Sequence, residues 1–159
     1  MKILCGTDII EIERIKESID KFGNNFLTRV FTNQEIEYCE SHKSAKYQHY
    51  AARFSAKEAV SKMFGTGFNG SFDFKDIEVL NSKLGKPEVK LHGKALAKYE
   101  SEGYKDITIS ISHCNKYAVC FVIGYWQLQN KWYNIFMLKV RRWRKEENIN
   151  KCTSIQRFI

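Results

Sequence analysis

The sequence predicts a single α+β domain built around an antiparallel sheet with flanking helices. Helical periodicity dominates the first half of the chain, whereas strand patterns dominate the second half. Two of the later strands are separated by a turn so short that only an antiparallel pairing can follow. The chain has 159 residues, of which 43% are hydrophobic, and this size and composition suit one domain with its own core.

The first elements alternate between strand and helix signals. Ile3–Ile10 has the apolar character of a short strand, interrupted by Asp8. Isoleucines then recur at helical spacing between residues 12 and 19, and Gly23 is a suitable C-cap. Thr32 and Glu35, three residues apart, form a capping box that predicts the start of another helix.

The clearest helix is predicted over Tyr50–Phe64, in the middle of the chain. At about 100° per residue its small and apolar side chains share one face, namely Ala52, Ala56, Ala59, Val60 and Met63. Gly65 and Gly67 follow directly and end the helix. This long central helix therefore packs through a narrow face of small residues.

The second half of the sequence predicts four strands and one helix. The first two strands, Asp76–Leu80 and Glu88–Leu91, are joined by a Gly-Lys-Pro turn, and a modest helix follows over His92–Glu102. Asp106–Ser112 alternates strictly between isoleucine and polar residues, the pattern of a half-buried strand. Tyr117–Gly124 is a more continuously apolar strand and is its predicted antiparallel partner.

The formal net charge of +8 is concentrated at the C-terminal end. Residues 126–159 carry eight Lys or Arg against two Glu, so the preceding residues are nearly neutral. The basic balance is therefore no nucleic-acid signature for the main domain, residues 1–125, and we expect it to bind no nucleic acid.

The cysteines and the N-terminus indicate a cytoplasmic protein. There are five cysteines, an odd number, and none of them has the CxxC spacing of a zinc site. The first residues lack the pattern of a signal peptide, and no run of about 18 apolar residues is present. We therefore expect reduced thiols in the cytoplasm.

Asp8 is the first candidate for chemistry. A carboxylate within an apolar strand is costly unless it has a partner. It has two interpretations, a strand-end residue or helix cap before Glu11, and a metal ligand.

The central helix carries the second candidate set, which comprises Arg53, Lys57, Glu58 and Lys62. These side chains either form solvated salt bridges between residues four apart or belong to a site that binds a polyphosphate. In the second case the cations hold phosphate, the carboxylate holds Mg²⁺, and the glycines after the helix allow a ligand to approach the backbone.

Five segments of the sequence together resemble a known family. They are Gly6–Glu11, the F-T-x-x-E segment Phe31–Glu35, the central R-F-S-A-K-E-A segment Arg53–Ala59 with Lys62, Gly65 and Gly67 after it, the turn Gly85–Pro87, and the strand end Ser110–His113. In this order and spacing they resemble the holo-(acyl carrier protein) synthase family, within the 4′-phosphopantetheinyl transferases. The resemblance covers residues 1–124 and implies that family's α+β fold.

The resemblance also implies a reaction and its residues. The family moves 4′-phosphopantetheine from coenzyme A onto a serine of apo acyl carrier protein. By resemblance Asp8 and Glu58 would ligate Mg²⁺, and Lys62 would contact the diphosphate and stabilise the leaving nucleotide. The nucleotide and its phosphates would be held by Arg53, Gly65, Ser112 and His113. Two candidates remain for the base that takes the serine proton, Glu58 and a metal-bound water.

Partners follow from the same resemblance. The family docks its acidic carrier protein on basic residues of the first helical region, for which Arg14 and Arg29 are the candidates here. Small members of the family form homotrimers with active sites between subunits, and this chain has the size of the small type. A homotrimer is therefore the implied assembly.

Residues 126–159 depart from the family pattern. They contain all three tryptophans and an apolar stretch that runs into a cluster of arginines. Three interpretations stay open: contact with an anionic membrane, binding of nucleic acid or of the carrier protein, and a segment with no selected role. The alternative to an enzyme is a basic module that binds nucleic acid or a membrane through this tail, and a third possibility is a family member that has lost catalysis.

Overall fold

The computed structural model describes residues 2–126, which contain five strands and five α-helices. In chain order they are β1 (Lys2–Glu11), α1 (Ile12–Phe22), α2 (Asn24–Val30), α3 (Asn33–Ser41), α4 (Lys46–Met63), β2 (Ile77–Asn81), β3 (Pro87–Leu91), α5 (Gly93–Glu102), β4 (Tyr104–His113) and β5 (Tyr117–Trp126). The predicted α+β class is confirmed. The predicted tail, residues 126–159, lies outside the described residues except for Trp126, the last residue of β5, and the boundary after residue 125 stays a prediction.

The strands form two antiparallel sheets. β5 lies in the centre of a three-stranded sheet between β1 and β4, while β2 and β3 form a separate hairpin. The predicted pairing of the last two strands is confirmed, with Ser112 opposite Val119. The N-terminal strand pairs with β5 along its whole length, from Lys2 opposite Trp126 to Glu11 opposite Tyr117.

The predicted helices are confirmed, with two differences. The central helix α4 begins at Lys46, four residues before the predicted start. The short helix α2 has no counterpart in the sequence prediction, because seven residues give too little periodicity to recognise. The capping box of α3 is present, with the backbone N–H of Thr32 donating to Glu35 Oε2 at 2.8 Å.

Helix α4 lies across one face of the three-stranded sheet. Its predicted face of small residues is buried, and Ala56, Ala59 and Val60 have no exposed surface. A Cβ atom on Gly6 of β1 would lie only 2.8 Å from the backbone nitrogen of Met63 and closer still to the carbonyl oxygen of Ala59. The strand therefore rests directly on the helix backbone, which only glycine permits at this position.

The opposite face of this sheet is exposed and apolar. The strand predicted to be continuously apolar alternates in burial, because its inward side chains pack on α4 and its outward ones face away from it. The outward hydrophobic side chains of β1 and β5 are Ile3, Ile9, Tyr117, Val119, Phe121, Ile123 and Tyr125. Ile9 is 65% exposed and Phe121 is 45% exposed, so a large apolar surface has no cover within residues 2–126.

None of the helices within residues 2–126 is long and apolar enough to cross a membrane.

Candidate active site

Asp8 and Lys62 meet at the junction of β1 and α4. Asp8 lies on the strand face that packs on the helix, as Gly6 and Ile10 do. Lys62 Nζ donates to Asp8 Oδ1 at 2.8 Å; the side chain of Asp8 is 14% exposed and that of Lys62 is 51% exposed. The helix-cap interpretation of Asp8 is wrong, because Glu11 occupies the N-cap of α1 and no side chain caps that helix.

Glu58 brings a second carboxylate to the same place. It lies one helical turn before Lys62 and is half-buried. Burial raises the pKa of Glu58, the negative charge of Asp8 raises it further, and Lys62 lowers it. The two carboxylates are therefore near enough to repel each other, and the Lys62 ammonium attracts both. One of the two interpretations of these side chains paired Glu58 with Lys62 in a solvated salt bridge, but Lys62 is paired with Asp8 instead.

The backbone of β1 is fixed at this point by a helix side chain. Ser55 Oγ donates to the carbonyl oxygen of Asp8 at 2.9 Å, and the side chain of Ser55 is buried. Together with the contact at Gly6, this hydrogen bond sets the distance between strand and helix. The position of the Asp8 carboxylate is therefore determined by packing on both sides of it along the strand.

The pair of carboxylates fits a magnesium ion. Mg²⁺ prefers oxygen ligands and usually keeps several waters and substrate phosphates, so that one or two protein carboxylates suffice. Within the described part of the chain, no group of three or more His, Cys, Asp or Glu side chains is arranged to hold a metal. Asp8 and Glu58 therefore suit a hard cation that shares its ligands with a phosphate, and they do not suit a closed structural metal site.

Arg53 lies towards the other end of α4 and is only 3% exposed. Its Nη2 donates to Asn81 Oδ1 at 2.7 Å, and its guanidinium carbon lies 3.9 Å from the ring centroid of Tyr38. Asn81 Nδ2 in turn donates to the carbonyl oxygen of Gly85 at 2.9 Å. The arginine is therefore connected through one amide to the Gly-Lys-Pro turn of the β2–β3 hairpin.

The remaining predicted nucleotide-binding residues lie in two places. Gly65 follows α4 with a φ of 73° and is exposed beside the Lys62 end of the helix. Ser112 and His113 are exposed at the end of β4, and the His113 ring lies 6.2 Å from that of His49 on α4. Within one chain, Gly65 and Lys62 therefore form one group, whereas Arg53 and His113 lie near His49 and form another.

The two predicted docking residues are exposed on adjacent helices. Arg14 lies on α1 and Arg29 lies in the last turn of α2. Lys16, close to Arg14, forms an ion pair with Glu13 at 2.8 Å. The described ion pairs include neither arginine, so both can contact a partner.

The sequence did not reveal a buried ion pair beside the site. Lys57 and Glu35 are both fully buried, with Lys57 Nζ 2.8 Å from Glu35 Oε2. Of the two interpretations offered for Lys57, the solvated salt bridge is therefore wrong. The one available signal in the sequence was Glu35, the glutamate of the capping box. Its burial is explained by its ion pair with Lys57.

Comparison with known proteins assigns this chain to a family. The 4′-phosphopantetheinyl transferase superfamily profile matches residues 4–122. The chain is 55% identical over 123 residues to a holo-(acyl-carrier-protein) synthase of Ruminiclostridium cellulolyticum, covering 77% of this chain and 92% of that protein.

Solved structures agree with these sequence matches. The structure of the Helicobacter pylori holo-(acyl-carrier-protein) synthase in complex with coenzyme A superimposes with a TM-score of 0.67 at 30% identity, over 77% of this chain and 100% of the other. The Bacillus anthracis enzyme, in complex with coenzyme A (3′,5′-ADP), gives a TM-score of 0.65 at 34% identity, over 78% and 96%.

Proposed function

Because the chain belongs to the 4′-phosphopantetheinyl transferase superfamily, we infer that it transfers 4′-phosphopantetheine from coenzyme A to a serine of apo acyl carrier protein. The products are holo acyl carrier protein and adenosine 3′,5′-bisphosphate, and the reaction is a step of fatty acid biosynthesis. The observation that supports this activity most directly is the meeting of Asp8 with Lys62, beside Glu58, in a chain whose relatives are synthases of this kind. The alternative of a binding module that acts through the tail gains no support, because the family match covers residues 4–122.

Magnesium dependence is part of the proposal. Asp8 and Glu58 would hold the ion, which when bound neutralises charge on the diphosphate of coenzyme A. The raised pKa of Glu58 supports this role, since a cation between two repelling carboxylates relieves their repulsion. Lys62 would then leave Asp8 and contact the diphosphate. Its side chain is half-exposed, and a single hydrogen bond joins it to Asp8.

The reaction makes one bond and breaks one. The serine oxygen attacks the phosphorus that bears pantetheine, and the bond from that phosphorus to the bridging oxygen breaks. The serine proton passes to a base, for which Glu58 is the candidate among the described carboxylates, since burial raises its pKa. Lys62 would stabilise the negative charge that develops on the departing nucleotide, so positioning and electrostatics supply most of the rate.

The nucleotide would be held by the remaining predicted residues. Gly65 offers a backbone without a side chain beside Lys62, and Ser112 and His113 offer polar groups at the exposed end of β4. Arg53 is buried and would act largely through its bond to Asn81, which connects it to the Gly-Lys-Pro turn.

The acidic carrier protein would dock on α1 and α2. Arg14 and Arg29 are exposed and lie on consecutive helices, which supports their assignment to this surface. Attraction between opposite charges speeds encounter and weakens as salt increases.

We propose a homotrimer as the assembly. The support is the exposed apolar face of the three-stranded sheet, which includes Ile9, Phe121 and Ile123. An apolar surface of this extent is typical of protein contacts. By the family resemblance, a neighbouring subunit would also complete the coenzyme A site beside Asp8 and Glu58, which lies on the α4 side of the sheet.

A cytoplasmic location is proposed on the state of the cysteines. The four cysteines within residues 2–126 are free thiols, as expected in a reducing compartment.

Mass spectrometry of apo acyl carrier protein tests the activity. The carrier is incubated with the full chain, coenzyme A and Mg²⁺, and the expected result is a gain of one phosphopantetheine, about 340 Da from its covalent formula. Parallel reactions use Glu58→Ala or omit the metal, and both should abolish the gain. A gain that persists without metal would contradict the magnesium assignment but not the transferase, whereas no gain with several carrier proteins would overturn the activity itself.

A further inference from the structure

Glu78 of β2 is a buried carboxylate that belongs to none of the five segments that resemble the family. Two side chains from other elements bind it. Thr32 Oγ1, at the start of α3, donates to Glu78 Oε1 at 2.6 Å, and His92 Nε2, at the start of α5, lies 2.9 Å from Glu78 Oε2. Since an ionised carboxylate only accepts hydrogen bonds, the imidazole is the donor. Glu78 therefore joins three elements that are separate in sequence, namely α3, β2 and α5.

These two donors keep Glu78 charged although it is buried. Burial raises the pKa of Glu78, but the hydrogen bonds from Thr32 and His92 outweigh this effect, so that the pKa lies below its usual range. The side chain of His92 is 39% exposed, whereas that of Glu78 is only 6% exposed. A line of polar contacts thus begins at a partly exposed imidazole and leads into the core.

The hydroxyl of Thr32 extends this line to a second buried carboxylate. It accepts a hydrogen bond from the backbone N–H of Glu35 at 3.4 Å, and the backbone N–H of Thr32 donates to Glu35 Oε2 at 2.8 Å. The same carboxylate oxygen lies 2.8 Å from Lys57 Nζ, and neither of these two side chains is exposed. We refer to His92, Glu78, Thr32, Glu35 and Lys57 as the polar network, in which Thr32 links one ion pair to the other.

The inner end of the polar network lies next to a residue of the candidate active site. Lys57 immediately precedes Glu58 on α4, and Lys57 Nζ also donates to the carbonyl oxygen of Phe74 at 3.0 Å. Burial lowers the pKa of Lys57, and the negative charges of Glu35 and Glu78 oppose this effect, so both carboxylates attract the same ammonium. A buried ammonium with fixed acceptors outside α4 restrains the turn of the helix that carries it, and Glu58 belongs to that turn.

We propose that Thr32, Glu78 and His92 are positioning residues, which act on Glu58 through the Glu35–Lys57 pair. They hold one turn of α4 in the rotation at which Glu58 meets Asp8. The effect on turnover rests on the proposed function, whereas the effect on the position of Glu58 does not. A residue that only stabilises the fold changes the fraction of folded molecules and leaves the geometry of the folded ones as it was. A positioning residue changes that geometry.

Substitutions at Thr32 separate its hydroxyl from the rest of the side chain. Thr32→Val keeps the shape and removes the hydroxyl, which disconnects Glu78 from Glu35, whereas Thr32→Ser keeps the hydroxyl. The backbone amide ¹H–¹⁵N resonance of Glu58, recorded on the metal-free full chain, reports the geometry of its helical turn. We expect this resonance to be displaced in Thr32→Val and to return to its wild-type position in Thr32→Ser. An undisplaced resonance in Thr32→Val would overturn the proposal.

His92→Leu tests the outer end of the polar network at a partly exposed position, where the fold tolerates substitution. The Glu58 resonance should move in the same direction as in Thr32→Val and by a smaller amount. Because both substitutions interrupt one path, the double variant should displace the resonance no further than Thr32→Val alone. Displacements that add in the double variant would show that the two residues act separately, and would overturn the proposal.

Val89→Ala is the matched control for a general loss of stability. Val89 lies on β3 opposite Val79, is partly buried against the core, and takes no part in the polar network. Urea unfolding should show that Val89→Ala is destabilised as Thr32→Val is, while its Glu58 resonance stays at the wild-type position. An equal displacement in Val89→Ala would overturn the proposal, because loss of packing would then explain the effect.

Turnover of apo acyl carrier protein is measured on the same samples, at a temperature at which every variant is folded. We expect kcat to be about tenfold lower in Thr32→Val, since a small misplacement that originates far from the chemistry is costly, and to recover in Thr32→Ser. A displaced Glu58 resonance in a protein without turnover supports the positioning assignment and contradicts the transferase. An active wild type whose Glu58 resonance is unmoved by Thr32→Val contradicts only the positioning assignment.

Discussion

Lys57 and Glu35 form an ion pair in which neither side chain has any exposed surface. Lys57 Nζ also donates to the carbonyl oxygens of Phe74 and Ile77, and Glu35 Oε1 accepts from the backbone N–H of Val79 at 2.9 Å. The pair thereby connects α4 with α3 and β2. Since Glu58 is the next residue of the helix, this connection fixes the rotation that directs Glu58 towards Asp8.

Replacing Lys57 with methionine should strongly destabilise the fold. The substitution keeps the length of the side chain but leaves the Glu35 carboxylate buried without its cation, which costs about 3–5 kcal/mol. Urea unfolding at neutral pH measures the change. Lys62→Met is the matched control, because its lysine is half-exposed, and we expect it to alter the free energy of unfolding little. A loss at Lys57 no larger than in the control would show that the pair does not hold the helix.

Glu58 should titrate above the ordinary glutamate range in the metal-free protein. Burial and the charge of Asp8 both raise its pKa, so the carboxylate form, which a cation requires, is lost as pH falls through that raised value. Carboxyl ¹³C NMR measures the titration. Asp8→Asn should lower the pKa of Glu58 and Lys62→Met should raise it. An unchanged Glu58 pKa in both variants would show that these groups do not interact in the folded protein.

Gly6→Ala should disturb the site without touching a functional side chain. The added Cβ collides with the backbone of α4, so β1 must move away and overpacking costs about 1–3 kcal/mol. Thermal unfolding and transferase rate are the measurements, and both should fall. Glu100→Ala, at an exposed position of α5, is the control and should change neither. Retention of full activity in Gly6→Ala would mean that strand position does not govern Asp8.

Phe121→Asp should break the assembly if the exposed sheet face joins subunits. A charge placed in a desolvated apolar contact is costly, so the mass measured by light scattering should fall to that of one chain. The matched control is Leu84→Asp, which introduces the same charge at a hairpin tip that is 97% exposed and should leave the mass unchanged. An identical mass for wild type and Phe121→Asp would argue against this face as the interface.

Arg14→Glu should raise the KM for acyl carrier protein and leave the KM for coenzyme A unchanged. Reversal of one exposed charge weakens attraction to an acidic partner, by several-fold at low ionic strength and less as salt screens it. Steady-state kinetics at two salt concentrations measure the difference. Lys94→Glu, a charge reversal on α5 outside the docking helices, is the control. An unchanged KM at low salt would remove Arg14 from the docking surface.

The sequence predicted the elements that periodicity and turn residues define. Strict alternation in β4, the small-residue face of α4 and the capping box at Thr32 each depend on neighbouring residues, and the structure confirms all three. Helix α2 was missed because its seven residues span less than two turns. Local signals were therefore sufficient wherever an element was long enough to repeat its pattern.

The candidate site was harder to predict, because its contacts join distant residues. The bond between Lys62 and Asp8 spans 54 positions, and the edge-to-face contact of the His49 and His113 rings spans 64 positions of the chain. Motif resemblance supplied Asp8, Glu58 and Lys62 without their geometry. No pattern marked His49 or the burial of Lys57, since lysine and histidine on a helix are ordinarily assigned to its solvated side.

The contact at Gly6 limits how closely β1 can approach α4 but not how far the two can separate. At Gly6 the strand already touches the helix backbone, so it cannot approach further, whereas it can move away. Thermal motion or substitution can therefore widen the gap between the Asp8 and Glu58 carboxylates far more easily than narrow it. For the proposed metal site, this contact would set a lower limit on the separation of the two backbones that carry Asp8 and Glu58, so the site would adapt to a larger cation more readily than to a smaller one.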